Sequence, residues 1–168
     1  LHHYFLKSYT FLHHYKGNNM KLSVELVPQS SWGNNLRSEA NLSKSEWDKL
    51  RKASYKKAKY RCEVCRGQGA KWPVECHEIW HYDDENNIQT LKGLISLCPT
   101  CHKAKHLGRT LSVETQEIKD EVLIQMMDLN KFTEQELEEY IVSVFEKWQE
   151  RSSKKWTLDL TWLEKEIK

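Results

Sequence analysis

Long apolar runs are missing from this sequence. No stretch approaches the roughly 18 consecutive apolar residues that a membrane-spanning helix requires, so we expect no membrane partner. The mean hydropathy of -0.77 and a hydrophobic content of 39% describe a polar chain that can still bury a modest core. A length of 168 residues indicates one domain, or one compact domain with helical extensions.

Cysteine is also scarce. There are 5 cysteines, and four of them form two Cys-x-x-Cys motifs, Cys62–Cys65 and Cys98–Cys101. Thiols confined to such pairs are typical of a reducing compartment, where they bind metal rather than form disulfides, so we expect a cytoplasmic protein. The turn of each motif directs both sulfurs to one side, and two motifs supply four thiolates for a tetrahedral zinc ion. The sequence therefore predicts one structural zinc site, here called the zinc clasp, with Cys76 outside it.

The segment between the two motifs is unusually long. It covers residues 66–97, which is 32 residues, whereas zinc ribbons have roughly 15–20. The segment includes the sequence Glu75-Cys-His-Glu-Ile-Trp-His-Tyr-Asp-Asp84, which is rich in histidine and acidic residues. A zinc clasp alone does not need such an insert, but a catalytic site held rigid by the clasp does.

The N-terminal part is predicted to contribute little to function. Residues 1–19 contain Leu-His-His-Tyr twice and lack the basic start and unbroken apolar core of a secretory signal, so we expect a non-functional N-terminal extension. Residues 20–42 are predicted to form an extended arm and a loop, because Leu22 to Val27 alternate and turn-forming residues follow. We expect Trp32 to dock this arm onto the rest of the protein.

The region from 43 to 110 is predicted to be the functional core. Ser43 or Ser45 caps a helix that runs to about Tyr60. The expected buried face of this helix consists of Trp47, Leu50 and Ala53. The insert is then predicted to form a short strand from Val74 to Trp80 and a polar loop over residues 81–90.

The sequence after the insert is predicted to be mainly helical. Residues 91–97 lead into the second cysteine motif, and Pro99 starts a helix through His106 that Gly108 ends. Residues 111–168 are predicted to be a helical extension, in which Thr133 and Glu136 form a capping box. The apolar stripes of these helices are assigned to packing rather than to a partner.

Charge is distributed unevenly along the chain. Residues 44–61 carry eight basic and two acidic side chains, whereas residues 114–150 carry eleven acidic and three basic ones. The first segment therefore suits a polyanion and the second repels it, although either run also fits a solvated helix face. The candidate residues for binding a polyanion such as DNA are Lys49, Arg51, Lys52, Lys56, Lys57, Lys59 and Arg61.

The order of the motifs resembles a known family. Cys-x-x-Cys, a strand with a histidine, and then Leu-Cys-x-x-Cys-His-x-x-x-His over about Tyr60 to Gly108 resemble the HNH endonucleases, the ββα-metal nucleases. The resemblance implies an α+β fold, with a small zinc-stapled ββα-metal core flanked by N- and C-terminal helices and mostly helical overall. It also implies a metal-dependent endonuclease that hydrolyses DNA.

The resemblance assigns roles to several residues. The zinc clasp is implied to hold a structural Zn²⁺, and His77 is implied to be the general base that deprotonates water, as an imidazole can near neutral pH. His102 and His106, at i and i+4, project from one helix face and are candidate ligands of one catalytic divalent cation. Imidazole ligands favour Mn²⁺, Ni²⁺ or Zn²⁺, and Mg²⁺ fits if oxygen ligands dominate. His81 is expected to be exposed.

The sequence departs from the family pattern at two positions. Cys76 precedes the expected base where the family usually has a metal ligand, and Gly93 stands where it usually has an asparagine. Either an oxygen ligand comes from a nearby carboxylate, or the metal site has fewer ligands, or catalysis has been lost. The candidate carboxylates are Glu78, Asp83 and Asp84. The alternative function is a catalytically inactive, zinc-dependent nucleic-acid-binding module, and a third is an adaptor that binds proteins through its acidic helices.

The basic segment generates a direct test. The double substitution Lys56→Glu and Lys57→Glu should weaken DNA binding and lower the slope of log affinity against log salt by about two, because two phosphate contacts are lost. A salt titration of affinity for the wild type and the variant measures both effects. Unchanged affinity would show that DNA does not contact this surface.

Overall fold

A computed structural model describes residues 21–37 and 42–167, and it shows a mixed α+β protein. About 50% of the described residues are helical and 15% are in strands, which confirms the predicted fold class. A 3-10 turn at Gln29–Ser31 comes first. The helices are α1 (Lys44–Lys57), α2 (Pro99–Lys105), α3 (Leu107–Val113), α4 (Gln116–Asn130), α5 (Glu134–Ser152) and α6 (Thr161–Glu166), and the strands are β1 (Glu75–Asp83), β2 (Ile88–Leu97) and β3 (Thr157–Asp159). None of the helices in the described ranges is both long and apolar enough to cross a bilayer.

A long hairpin forms the centre of the fold. β1 pairs antiparallel with β2, from Glu75 opposite Leu97 to Asp83 opposite Ile88, and β3 adds to β2 in parallel. The prediction of a polar loop over residues 81–90 is therefore wrong. Both strands continue to a tight turn because the Asp83 carboxylate accepts backbone hydrogen bonds at 3.0 Å from Glu85 and Asn86.

Gly93 lies at an irregularity in this hairpin. Ile79 pairs with Gly93, but the next residue, Trp80, pairs with Leu91, so Lys92 is an extra residue in β2. The φ angle of Gly93 is 154°, a backbone angle that residues with a Cβ rarely adopt. The backbone of the bulge thus accounts for a glycine where the resemblance implies an asparagine.

The helix boundaries follow the capping signals. Ser43 and Glu46 form a capping box at the start of α1, and Thr133 and Glu136 form the predicted one at α5. Two predicted details were wrong. Ala53 is exposed rather than buried. Gly108 does not end a helix, because the chain already breaks at His106 (φ -97°, ψ 41°) and continues as α3.

The N-terminal arm is packed into the core. Leu22 and Val24 are buried, and the backbone N–H of Val24 donates to the Tyr140 hydroxyl at 2.8 Å. The backbone N–H of Glu25 donates to the Lys105 carbonyl at 2.9 Å, so the arm contacts both α2 and α5. Trp32 does not dock the arm by burial as expected, since 65% of its surface is exposed.

Two apolar clusters stabilise the protein. One joins the arm, both cysteine motifs, α2, α4 and α5. The other joins Leu36, Leu42, α1, the hairpin and α6. The segment over 158–167, expected to be helical, contains part of β3 as well as α6. The extension predicted over residues 1–19 lies outside the described residues.

Candidate metal centre

The four cysteines of the two motifs come together in the structure. Their sulfurs all lie within 4.8 Å of one another, and the Sγ atoms of Cys65 and Cys98 are 3.6 Å apart. Cys62, Cys98 and Cys101 are buried, and Cys65 is half-buried. Four thiols at this spacing fit a structural zinc site of the four-cysteine class.

The first motif forms a tight turn that directs its sulfurs inward. Arg66 adopts a left-handed φ of 65°, and the backbone N–H of Gly67 donates to the Cys65 sulfur at 3.3 Å. A Cβ on Gly67 would itself lie 3.3 Å from that sulfur, so only glycine fits without displacement. The Gly67 peptide N–H therefore approaches the Cys65 sulfur closely and donates to it.

The contacts between the thiols favour a cation at their centre. Hydrogen bonds from Cys101 and Cys98 lower the pKa of Cys62. The bond between Cys101 and Cys62 has the opposite effect on its other partner and raises the pKa of Cys101. One thiolate thus opposes ionisation of its neighbour in the absence of positive charge. A zinc ion supplies the charge that allows all four to be thiolates.

Three histidines form a second group, here called the histidine cluster. His77 comes from β1, His102 from α2, and His106 from the break after α2. Their ligand nitrogens lie within 4.8 Å of one another. The ring centroids are 5.4 Å apart for His77 and His102, 4.8 Å for His77 and His106, and 4.9 Å for His102 and His106. Three converging imidazoles are a donor set that suits a transition-metal ion.

Glu75 orients one member of the histidine cluster. Nδ1 of His102 lies 2.6 Å from a carboxylate oxygen of Glu75, so Nδ1–H donates and Nε2 keeps its lone pair. Burial lowers the pKa of His102, although the bond to Glu75 opposes this effect. His102 is therefore neutral at neutral pH, with the carboxylate partner that metal-binding histidines commonly have.

His106 is also held in the neutral form. Burial, together with repulsion from His77 and His102, lowers the pKa of His106 to about 3. A neutral imidazole keeps the lone pair that a metal ion requires. Both helix histidines are thus ready to bind a cation without first losing a proton.

The chain has no match among known protein families, curated proteins or solved structures. The assignment of its site therefore depends on the residues themselves. What they show is a group of four cysteines and a group of three histidines, each close enough together to hold a metal ion.

Glu25 is a site residue that the sequence did not reveal. One carboxylate oxygen lies 2.9 Å from Nε2 of His77, and the other lies 2.5 Å from Nζ of Lys105. Burial alone raises the pKa of Glu25, but the bond to His77 and the charge of Lys105 outweigh it, and the pKa lies below its usual value. Glu25 is thus a carboxylate that fixes the ring of His77, which is only 5% exposed.

Lys105 holds Glu25 in place. Its side chain is buried, and Nζ also donates to the Ser23 hydroxyl at 2.8 Å.

The clue to Glu25 in the sequence was weak, because Glu25 is an isolated acidic residue in an apolar arm. Glu75 was more accessible to prediction, since it lies two residues before His77 and thus on the same face of β1.

The candidate carboxylates lie outside the histidine cluster. Glu78, next to His77 on β1, accepts hydrogen bonds from the Leu36 backbone at 3.1 Å and from the Trp80 indole at 3.1 Å. Burial raises its pKa. Successive strand residues point to opposite faces, which explains why Glu78 does not join the three histidines.

The other two candidate carboxylates lie at the hairpin turn. Asp83 caps the turn, and Asp84 forms a bidentate pair with Arg151 at 2.8 and 2.7 Å. The bond from Arg151 lowers the pKa of Asp84 to about 2. The structure thus gives each of them a local partner, and does not group either with the histidines.

Two further side chains on β1 lie apart from the metal-ligand groups. Burial raises the pKa of the Cys76 thiol to about 12. His81 is exposed, as expected. Cys76 thus behaves as a packed thiol, and His81 provides an unclustered histidine on the same strand.

The basic residues around α1 are mostly on the surface. Lys49, Lys52, Lys56, Lys57, Lys59 and Arg61 are exposed. Arg51 is half-buried and pairs with Asp48 at 2.7 Å, so its charge is partly neutralised. The exposed lysines remain candidates for phosphate contacts.

Zinc should be essential for the clasp. Cys62→Ser should lose about one zinc per chain and speed amide hydrogen exchange in the hairpin and α2 more than in α4 and α5, because structural zinc contributes roughly 10–16 kcal/mol in small domains. Metal analysis and hydrogen exchange measure these effects. Cys76→Ser is the matched control and should keep its zinc; equal zinc content in both variants would contradict the assignment.

The buried pair between Glu25 and Lys105 can be tested by stability. Glu25→Gln should lower the free energy of unfolding by up to about 3 kcal/mol, because it leaves the buried Lys105 ammonium without its partner charge. The double variant Glu25→Gln, Lys105→Met should recover most of the loss. Denaturant unfolding measures both, and a double variant no more stable than Glu25→Gln would show that the pair is not the cause.

Proposed function

We propose that this protein is a metal-dependent endonuclease of the HNH type that hydrolyses phosphodiester bonds in DNA. One observation carries the proposal: His77 on the hairpin lies against both His102 of α2 and His106 at the break that follows α2. A buried base candidate beside two neutral ligand candidates is the arrangement that this chemistry needs.

His77 is suited to act as the general base. Nε2–H donates to Glu25, so Nδ1 carries the lone pair that accepts a proton. Water attacks the phosphorus atom, its proton passes to Nδ1 of His77, and the bond between phosphorus and the leaving oxygen breaks. The leaving oxygen then takes a proton from solvent, and the Glu25 carboxylate stabilises the imidazolium that forms.

His102 and His106 are suited to hold the catalytic cation. Both are neutral, and Glu75 fixes the ring of His102. A divalent cation bound there, Mn²⁺, Mg²⁺, Ni²⁺ or Zn²⁺, would stabilise the negative charge that develops on the phosphate and the leaving oxygen. Imidazole donors favour the transition ions among these.

The alternative is a zinc-dependent nucleic-acid-binding module without turnover. This alternative is favoured because no carboxylate among the described residues joins the three histidines as a further metal ligand. In that case the exposed lysines of α1 would bind phosphate, and the histidines would have a structural role only.

Nicking of plasmid DNA with added Mn²⁺, Mg²⁺ or Ni²⁺ tests the proposal. His77→Ala should lower the rate about 100-fold or more, because general-base assistance is lost. His81→Ala changes an exposed histidine on the same strand and should cleave like wild type. Equal rates for the wild type and His77→Ala would refute the assigned base.

A metal count separates the nuclease from the binding module. The nuclease predicts two metal ions per chain, and the double variant His102→Ala, His106→Ala should keep only the zinc of the clasp. One zinc ion in the wild type under the same conditions would favour the binding module.

A further inference from the structure

A cavity of about 460 Å³ opens directly onto the histidine cluster. Its wall includes His77, His102 and His106, as well as Glu25. Whatever occupies this space therefore lies beside the proposed general base and metal ligands. The cavity has the size of a typical small-ligand site.

Five aromatic rings contribute to the rest of the wall. The cavity is lined by Trp32, Trp47, Trp80, Tyr82 and Trp148. Tryptophan and tyrosine offer flat faces on which another planar ring can stack. Trp32 is the most accessible of them, because the greater part of its surface faces solvent.

Positive charge lies against two of these rings. The Arg37 guanidinium is 5.8 Å from the Trp47 ring, and that of Arg151 is 4.8 Å from the Tyr82 ring. Arg151 is already paired with Asp84, whereas Arg37 makes no salt bridge with another described residue. Aromatic rings combined with guanidinium groups suit a nucleotide, since the base can stack on a ring and the phosphate is attracted by the positive charge.

A second cavity of about 450 Å³ adjoins the first. The two share His106, Trp32 and Trp148 in their walls, and the second extends to Arg109 and Phe145. Space, aromatic rings and a cation thus continue on the other side of His106. A strand whose phosphate sits at the histidine cluster would have room for nucleotides on both sides.

We infer that the aromatic cavity binds an unpaired nucleobase of the substrate strand next to the scissile phosphate, an inference that depends on the proposed nuclease function. Bases within a duplex are stacked on their neighbours and cannot enter a concave site without leaving the helix. Single-stranded or locally unpaired nucleic acid meets this requirement at the lowest energetic cost. The protein therefore prefers an unpaired segment over an intact duplex.

Binding of short labelled oligonucleotides at one salt concentration tests this preference. Trp32→Ala should weaken binding of single-stranded DNA by about five-fold or more, because a stacking surface is lost. Trp32→Phe should retain most of the affinity. Trp72→Ala is the matched control, since Trp72 is 60% exposed and does not line the cavity, and it should bind like wild type.

Duplex DNA of the same sequence, a duplex with one bulged nucleotide, and single-stranded RNA complete the experiment. The intact duplex should be insensitive to Trp32→Ala, and the bulged duplex should respond. Weaker binding of single-stranded DNA or single-stranded RNA by Trp32→Ala supports the cavity, and it identifies which of the two nucleic acids the cavity binds. The inference would be overturned if wild type and Trp32→Ala bound every single strand with equal affinity. It would also be overturned if Trp32→Ala lost as much affinity for the intact duplex as for single strands.

Cleavage measured in the same samples separates the two proposals. If the protein cleaves DNA but Trp32→Ala binds single strands as tightly as wild type, the nuclease proposal is supported and the cavity does not bind the substrate strand. Trp32-dependent binding of single strands without cleavage would support the cavity and exclude the nuclease. Thermal unfolding of each variant verifies that the fold is intact.

Discussion

The convergence of four sulfurs fixes the position of the helix on which the site depends. Cys98 is the N-cap of α2 and Cys101 lies in its first turn, so holding these two sulfurs sets both the place and the rotation of α2. His102 follows Cys101 directly, and His106 lies one helical turn further. The first motif, just after α1, ties the basic helix to the same point. Small domains with limited cores commonly depend on such a staple.

Parts of the chain outside the predicted nuclease core complete the surroundings of the histidine cluster. The arm supplies Glu25, and α5 supplies Trp148 and Arg151 to the cavity wall. The pair of Asp84 and Arg151 joins the hairpin turn to α5, and Lys147 of the acidic segment lies 3.5 Å from the same carboxylate, so α5 is basic where it meets the hairpin. The C-terminal helices thus serve both packing and the shape of the site.

Features set by local spacing could be predicted from the sequence. Each Cys-x-x-Cys motif, the i and i+4 pair of His102 and His106, and the capping box of α5 depend on neighbours within about one turn of chain. The contact of Glu25 with His77 spans 52 residues, and no local pattern encodes such a distance. The full hairpin was missed because polar residues over 81–90 indicate a loop, whereas strand pairing and the Asp83 turn decide the structure. Gly108 was misread because glycine often ends helices, although the break already occurs at His106.

The carboxylate that fixes His77 belongs to the arm and not to the hairpin and helix that carry the cluster. A fragment limited to residues 43–110 would therefore contain every cysteine and histidine of the two metal-ligand groups but lack Glu25. Its Lys105 would be left without a counter-charge, and the ring of His77 would be free to turn. Transfer of this unit to another scaffold would thus need an acidic residue supplied by the host at the same place.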